Sequence, residues 1–386
     1  MRRGTGGVEL WYNMVPIKGI EQMDKKSFLG EFLGTFVLTL FGCACVACAV
    51  LFGEYSGVFQ VGLAWGLGVT LAIYLTRYLS CAHLNPAVSI AMVVAGRMKA
   101  RKLPAYLAAQ LLGAVVAGLV LYALFSPSIA HYEELHGLVR GSAASVDTAR
   151  MFGEFYPNPG NSVAVVTLPL AIAAECFGTF LLVLFIFMLT EGCNVGRPSE
   201  PLQPVFIGLT VASVIFFIAP LTQAGLNPAR DVGPRIVACL CGWGAAALPD
   251  RVGGWFWVYV LGPIAGGCLA ALFYRFVVEK ALLEKNREDC SCAACRAASG
   301  DPRRLMEQGR RVGLVTNDQA PELVDSEMLR QGRLAVAEVA GSCFCCNFNG
   351  LVDALKKLGE TEVLAWRCLQ PGRPNPTYRF GEVVSD

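Results

Sequence analysis

An all-α membrane protein, with six spanning helices and two shorter helices that enter the bilayer without crossing it, is the fold class this chain predicts. Three observations carry the prediction. The 386 residues are 54% hydrophobic and only 16% charged, against roughly 25% charged in an ordinary soluble domain. Six apolar stretches are long enough, at about 20 residues each, to cross a hydrocarbon core as helices. The sequence Asn-Pro-Ala occurs twice in apolar surroundings, at matched places in an internal repeat.

The spans are predicted near Leu29–Phe52, Phe59–Tyr78, Leu103–Phe125, Val163–Leu189, Leu202–Ala219 and Trp255–Val278. Between the second and third lies SCAHLNPAVSI, with Asn85, Pro86 and Ala87. After the fifth lies QAGLNPARDVGPR, with Asn227, Pro228 and Ala229. Asparagine caps a first turn, and proline loses no needed N–H at the first helical position, so a helix begins at each motif. Neither segment is long enough to span. Both fit re-entrant half-helices, which membranes tolerate where the backbone is buried in protein or lines a wet cavity.

The halves repeat. GEFLGTF recurs as AECFGTF at an offset of 144 residues (Glu31 to Glu175), the Asn-Pro-Ala pair at 142 (Asn85 to Asn227), and Tyr106-x3-Gln110-x2-Gly113 answers Tyr259-x3-Pro263-x2-Gly266. Three spans per half make the second copy enter from the opposite side, so the repeat is inverted and the two half-helix N-termini meet near the midplane. Lys25, Lys26, Arg97, Lys99, Arg101, Lys102, Arg197, Lys280, Lys285 and Arg287 all fall on one side, which predicts cytoplasmic termini in a plasma or inner membrane. The basic N-terminal stretch lacks a short apolar core with a cleavage site, so no removed signal peptide is expected. Net charge is +2, so nucleic acid is not implied as a partner. The connection Ser126–Asn161 is expected to form a lid over the outer mouth. The organisation predicted is an N-terminal segment (1–26), a membrane domain (27–280), a linker with a cysteine cluster (281–310) and a cytosolic tail (311–386), α/β-like or partly disordered. Of 16 cysteines, nine lie between Cys43 and Cys268, where buried packing thiols are the expectation.

Residues 27–280 resemble the major intrinsic proteins, the aquaporins and glycerol facilitators, through the paired motifs AHLNPAV and GLNPARDVGPR, the inverted repeat and the paired glutamates. Asp231, after the arginine, is similar to the glycerol-conducting branch. The resemblance implies the aquaporin fold, a homotetramer of four pores, no catalysis, and passive bidirectional diffusion of glycerol and related neutral solutes, with water, urea and arsenite as further candidates. The residues fit such a channel. Asn85 and Asn227 keep an amide N–H₂ to donate into a pore, and the half-helix dipoles make its centre positive. Carbonyls of Ala82, His83 and Leu84, and of Ala224, Gly225 and Leu226, form a ladder of acceptors.

Placed by the family's spacing, the four filter positions fall on Trp65, Ile215, Ala224 and Arg230. An intramembrane arginine is a functional-site hypothesis by default. Pairing with Asp231 is the alternative for Arg230, and lipid-facing packing that for Trp65. Ile215 stands where strict water channels resemble one another in having histidine. With small Ala224 it implies a wide, greasy opening, in which Trp65 meets carbon and Arg230 meets hydroxyls. The glycerol-conducting branch usually has an aromatic at the position of Ala224, and its absence leaves larger polyols, urea and metalloid hydroxides open. Glu31 and Glu175 are expected to accept N–H groups from the loops before Asn85 and Asn227, with Gln110 and Asp231 in support; a proton relay is the alternative.

The tail reads as strand, helix, strand, helix over VGLVTND, PELVDSEMLRQ, LAVAEVA and FNGLVDALKKL, and resembles a truncated CobW-type GTPase fragment. Cys343-x-Cys345-Cys346 matches that family's Cys-x-Cys-Cys, which implies a soft or borderline metal ion on the tail. No G-x4-G-K-[ST] phosphate loop exists in the chain. The membrane domain implies no cofactor. Two rival readings stay open: a metal-linked channel with the tail as sensor, and a proton-coupled secondary transporter.

Overall fold

The computed structural model describes residues 25–289, apart from 56, 192, 193, 195, 251 and 252, together with three tail strands. Six helices are long and apolar enough to cross a membrane. In chain order the elements are α1 (Lys25–Phe52), α2 (Val58–Thr76), α3 (Pro86–Val94), α4 (Leu103–Leu135), α5 (Val146–Ala149), α6 (Leu168–Thr190), α7 (Gln203–Thr222), α8 (Pro228–Ala238) and α9 (Gly254–Leu282). The last span contains two π-helical stretches, and its helix runs on to Asp289.

The half-helices α3 and α8 have 9 and 11 residues, about 14 and 16 Å, half the thickness of a hydrocarbon core. Each packs on the other repeat: α3 lies on α9 and α8 on α4, while α1 packs on α4, α6 on α9, and α2 on α7. The repeats mirror one another atom by atom at their tightest crossing. A Cβ on Gly113 of α4 would stand 2.3 Å from the Phe32 carbonyl oxygen of α1, and one on Gly266 of α9 would stand 2.0 Å from that of Cys176 in α6. Glycine is required at both, because backbone fills the space a side chain would take.

Two boundaries differ from the sequence reading by five residues or more. α4 continues ten residues past Phe125, through Pro127 to Leu135. It is about 50 Å long, so its end projects beyond the apolar layer, where Glu133 anchors the following loop through Arg140 (2.8 Å) and Thr148 (2.8 Å). The fourth span begins at Leu168 rather than Val163, since Val163 and Val165 are exposed in an irregular segment. Large apolar side chains such as Leu67, Leu71, Phe177, Phe185 and Leu209 face outward, as a lipid-embedded surface requires.

In the tail, β1 (Val312–Asn317), β2 (Ala335–Glu338) and β3 (Glu362–Cys368) form a parallel sheet in the order β2-β1-β3. The first two strands fall on VGLVTND and LAVAEVA. The third, EVLAWRC, was not anticipated. The expected tail helices lie outside the described residues, as do Cys343, Cys345 and Cys346.

Candidate functional site

The two Asn-Pro-Ala motifs meet tip to tip. Asn85 precedes α3 in extended backbone, and its Oδ1 accepts the Ala87 N–H at 2.9 Å; Asn227 does the same before α8, accepting from Ala229 (3.1 Å) and Arg230 (3.2 Å). Each side-chain amide then reaches across the repeat boundary. Asn85 Nδ2 donates to the Leu226 carbonyl at 2.9 Å, and Asn227 Nδ2 donates to the Leu84 carbonyl at 2.8 Å. One amide hydrogen of each asparagine is therefore spent on the opposite loop, which corrects the expectation that both N–H₂ groups stand free.

The same exchange shortens the carbonyl ladder. Leu84 and Leu226 each give a lone pair to an asparagine, and the Gly225 carbonyl accepts the Asn227 N–H at 2.6 Å. The Ala82, His83 and Ala224 carbonyls accept no backbone N–H among the described residues. The loops hold this shape through left-handed backbone at Ala82, Leu84, Gln223, Ala224 and Leu226, a conformation that costs a non-glycine residue about 1 kcal/mol or more.

Buried carboxylates hold those loops. Glu31 accepts the His83 and Leu84 N–H groups at 3.0 and 2.7 Å, and Glu175 accepts those of Gly225 and Leu226 at 2.9 and 2.8 Å. Gln110 donates from Nε2 to Glu31 (2.8 Å) and to Ser89 (2.9 Å). The second repeat has Pro263 at that place, and the Thr222 hydroxyl donates to Glu175 instead, at 2.6 Å. Ser80 and Thr222, each five residues before its asparagine, also accept loop N–H groups, from Ala82 and Ala224. The sequence reading missed both, although hydroxyls at matched spacing in a repeat were a visible signal.

Trp65, Ile215 and Ala224 are buried in one apolar cluster, so Trp65 does not face lipid. The Arg230 guanidinium lies over the Trp65 ring, 4.2 Å from its centroid. Its ion-pair partner is Glu154, from the connection between α4 and α6, and not Asp231. Asp231 is taken by Arg235, at 2.9 and 2.6 Å, one turn further along α8. Glu154 was not anticipated: a single acid in the segment MFGEFYPNPG carries no periodicity that would aim it at α8. Burial pushes its carboxyl up to about 8, with Arg230 drawing it back down. Among the described residues, no group of three or more His, Cys, Asp or Glu is placed to hold a metal ion.

Comparison with known proteins agrees with this architecture. The family model "Major intrinsic protein" matches residues 20–274. The glycerol uptake facilitator protein of Pseudomonas aeruginosa is 40% identical over 255 residues, 66% of this chain and 89% of that protein; its Escherichia coli K12 counterpart is 39% identical, covering 67% and 90%. The propanediol uptake facilitator of Citrobacter freundii is 37% identical, covering 67% and 94%. Among solved structures, the aquaglyceroporin of Plasmodium falciparum superposes with a TM-score of 0.58 at 27% identity, covering 67% of this chain and 98% of that one. With six apolar spans, crossed half-helices and matches of this extent, the chain is a multi-pass membrane protein that belongs to the major intrinsic protein family.

Proposed function

We propose that the chain is a passive, bidirectional membrane channel for glycerol and related small neutral solutes, with no catalytic step. The observation that carries this is the crossed pair of asparagine–carbonyl bonds, supported by relatives that are glycerol and propanediol uptake facilitators. Two helix N-termini meet there, each with about half a positive elementary charge. A neutral solute exchanges hydration for the remaining amide hydrogens and loop carbonyls, whereas a cation meets a positive centre. Asn85, Asn227 and the loop carbonyls serve as the central lining, and Trp65, Ile215, Ala224 and Arg230 as the outer constriction. The basic residues beside the spans support a cytoplasmic position for both termini in a plasma or inner membrane, and the outward apolar faces suit lipid and three further copies in a tetramer.

A proton-coupled transporter would use Glu31 and Glu175 as carriers, yet both already accept two loop N–H groups. Proteoliposomes containing the protein are expected to equilibrate glycerol in both directions with no effect of an uncoupler. Accumulation against a gradient that collapses with uncoupler would overturn the channel reading.

The Ala224→Phe variant narrows the constriction and is expected to cut flux of five- and six-carbon polyols about tenfold or more, the scale at which a pocket discriminates small apolar groups, with less effect on glycerol and water. Stopped-flow light scattering across a solute series checks this. Equal loss for every solute would remove Ala224 from the lining. Arg230→Ala removes the hydroxyl donor from the same ring and is expected to raise water relative to glycerol flux, checked in the same vesicles.

A further inference from the structure

We propose that Glu154 is a fifth member of the outer filter, a carboxylate that accepts solute hydroxyls beside Arg230 and so favours polyols over water. The inference rests on the channel reading above and specifies the chemistry of its constriction.

The placement of Glu154 is built, not incidental. Its backbone N–H donates to Asp231 Oδ2 at 2.8 Å, and its carbonyl accepts from Arg235 Nη2 at 2.7 Å. The next residue, Phe155, donates its N–H to the Gln223 side chain at 2.9 Å, and Asn158 donates to the Ala219 carbonyl at 2.7 Å. The segment is thus fastened at several points to α8, which carries Arg230, and to the end of α7, which leads to Ala224. Fastened so, it delivers the Glu154 carboxylate to the Arg230 guanidinium, with 2% and 4% exposure.

That pair is incomplete. Glu154 Oε1 meets Arg230 Nη2, while Glu154 Oε2 and Arg230 Nη1 are both buried without a hydrogen-bond partner. A buried acceptor and a buried donor left unmet are costly. A hydroxyl that donates to Oε2 and accepts from Nη1 meets both. Adjacent hydroxyls on one carbon chain can do so together, while the carbons rest against Trp65, whose ring lies under the same guanidinium. Water satisfies the polar pair and leaves the apolar wall bare, so a polyol gains more from the site. The carboxylate also offsets the arginine's charge, which leaves cation exclusion to the half-helix tips.

The groups facing Glu154 are Arg230, Asp231 and Arg235 from α8, Glu175 from α6, Cys43 from α1 and Tyr259 from α9. Its carboxyl is raised to about 8 by burial against the opposing pull of Arg230. The acceptor form is therefore present above that pH and is lost as pH falls through it.

Glycerol and water permeabilities are to be measured in proteoliposomes for the parent and Glu154→Gln, with external pH stepped from 6 to 9. Gln keeps one oxygen for Arg230 and puts an N–H₂ donor where the second acceptor stood. At pH 9, where the acceptor form is present in the parent, the glycerol-to-water ratio is expected to fall about fivefold in Glu154→Gln, the scale of one hydrogen bond, with glycerol flux falling more than water flux. In the parent the ratio rises toward alkaline pH, and in the variant it is flat. Parallel loss of both fluxes, an unchanged ratio, or a pH step that survives in Glu154→Gln would overturn the proposal and leave Glu154 as a loop anchor. The pH arm uses the unaltered protein, so it stands even where the variant does not fold. A parent that passes no glycerol above protein-free vesicles fails the channel reading itself, a different result from any of these.

Discussion

Replacing Glu175 by alanine is expected to abolish solute flux, with loss of about 100-fold or more per molecule, and to lower the thermal midpoint in detergent. Glu175 is fully buried and accepts three hydrogen bonds, from the Thr222 hydroxyl and the Gly225 and Leu226 N–H groups. Alanine leaves all three donors unmet at membrane depth, at about 1–3 kcal/mol each. The loop does not hold itself: Gln223, Ala224 and Leu226 all sit in left-handed backbone that only outside contacts sustain. Its Leu226 carbonyl takes the Asn85 amide, so release of this loop also frees the opposite half-helix tip. Glu175→Gln keeps one acceptor oxygen and is expected to fall between. Stopped-flow flux normalised to folded protein, with melting in detergent, measures both effects; near-parental conduction by Glu175→Ala would show that the loop is fixed by something else.

The spans and half-helices were legible because their signals are local: long apolar runs, and Asn-Pro at a helix start. The inverted repeat carried the reading further, since Glu31 and Glu175 at one offset and the two motifs at nearly the same one implied equivalent partners before any contact was seen. What stayed hidden depends on contacts between distant residues with no period of their own. The exchange of Asn85 and Asn227 with Leu226 and Leu84 needs the two tips to be closer than a free amide would require, and only the packing of α3 on α9 and α8 on α4 brings them there. Glu154 is the same case: its direction is set by Asp231 and Arg235, whose pairing with each other released Arg230 for a different acid. The overlong α4 escaped because hydropathy and helix propensity both fall at Ser126-Pro127-Ser128, while the helix runs on through Pro127 into the stronger helix formers IAHYEEL that follow.

Substituting valine for Gly208 is expected to prevent assembly of the membrane domain. Gly208 in α7 crosses Gly66 in α2 at backbone contact: a Cβ on Gly208 would stand 2.3 Å from the Gly66 carbonyl oxygen and 2.0 Å from Thr70 Oγ1. Thr70 cannot simply turn away, because its hydroxyl bonds the Gly66 and Pro204 carbonyls at 3.0 and 3.2 Å and so ties the two helices together. Relief requires the helices to part, and small residues at such crossings are what lets membrane helices pack at all. Overpacking costs about 1–3 kcal/mol where neighbours can shift and more where backbone is the obstacle. Gly208→Ala adds one carbon and meets the same oxygen, so its melting midpoint is expected to fall without complete loss. Gly57→Ala, whose added carbon would meet only the flexible end of Gln60 at 3.1 Å, is expected to melt like the parent. The milder variant has a second consequence. Trp65 adjoins Gly66, and Ile215 lies two turns beyond Gly208 on the same face of α7, so parting these helices moves two residues of the proposed filter away from each other. Gly208→Ala is therefore expected to pass larger polyols relatively faster than the parent does, measured per folded molecule in the same vesicles, and an unchanged solute order would mean that the crossing does not set the width of the filter.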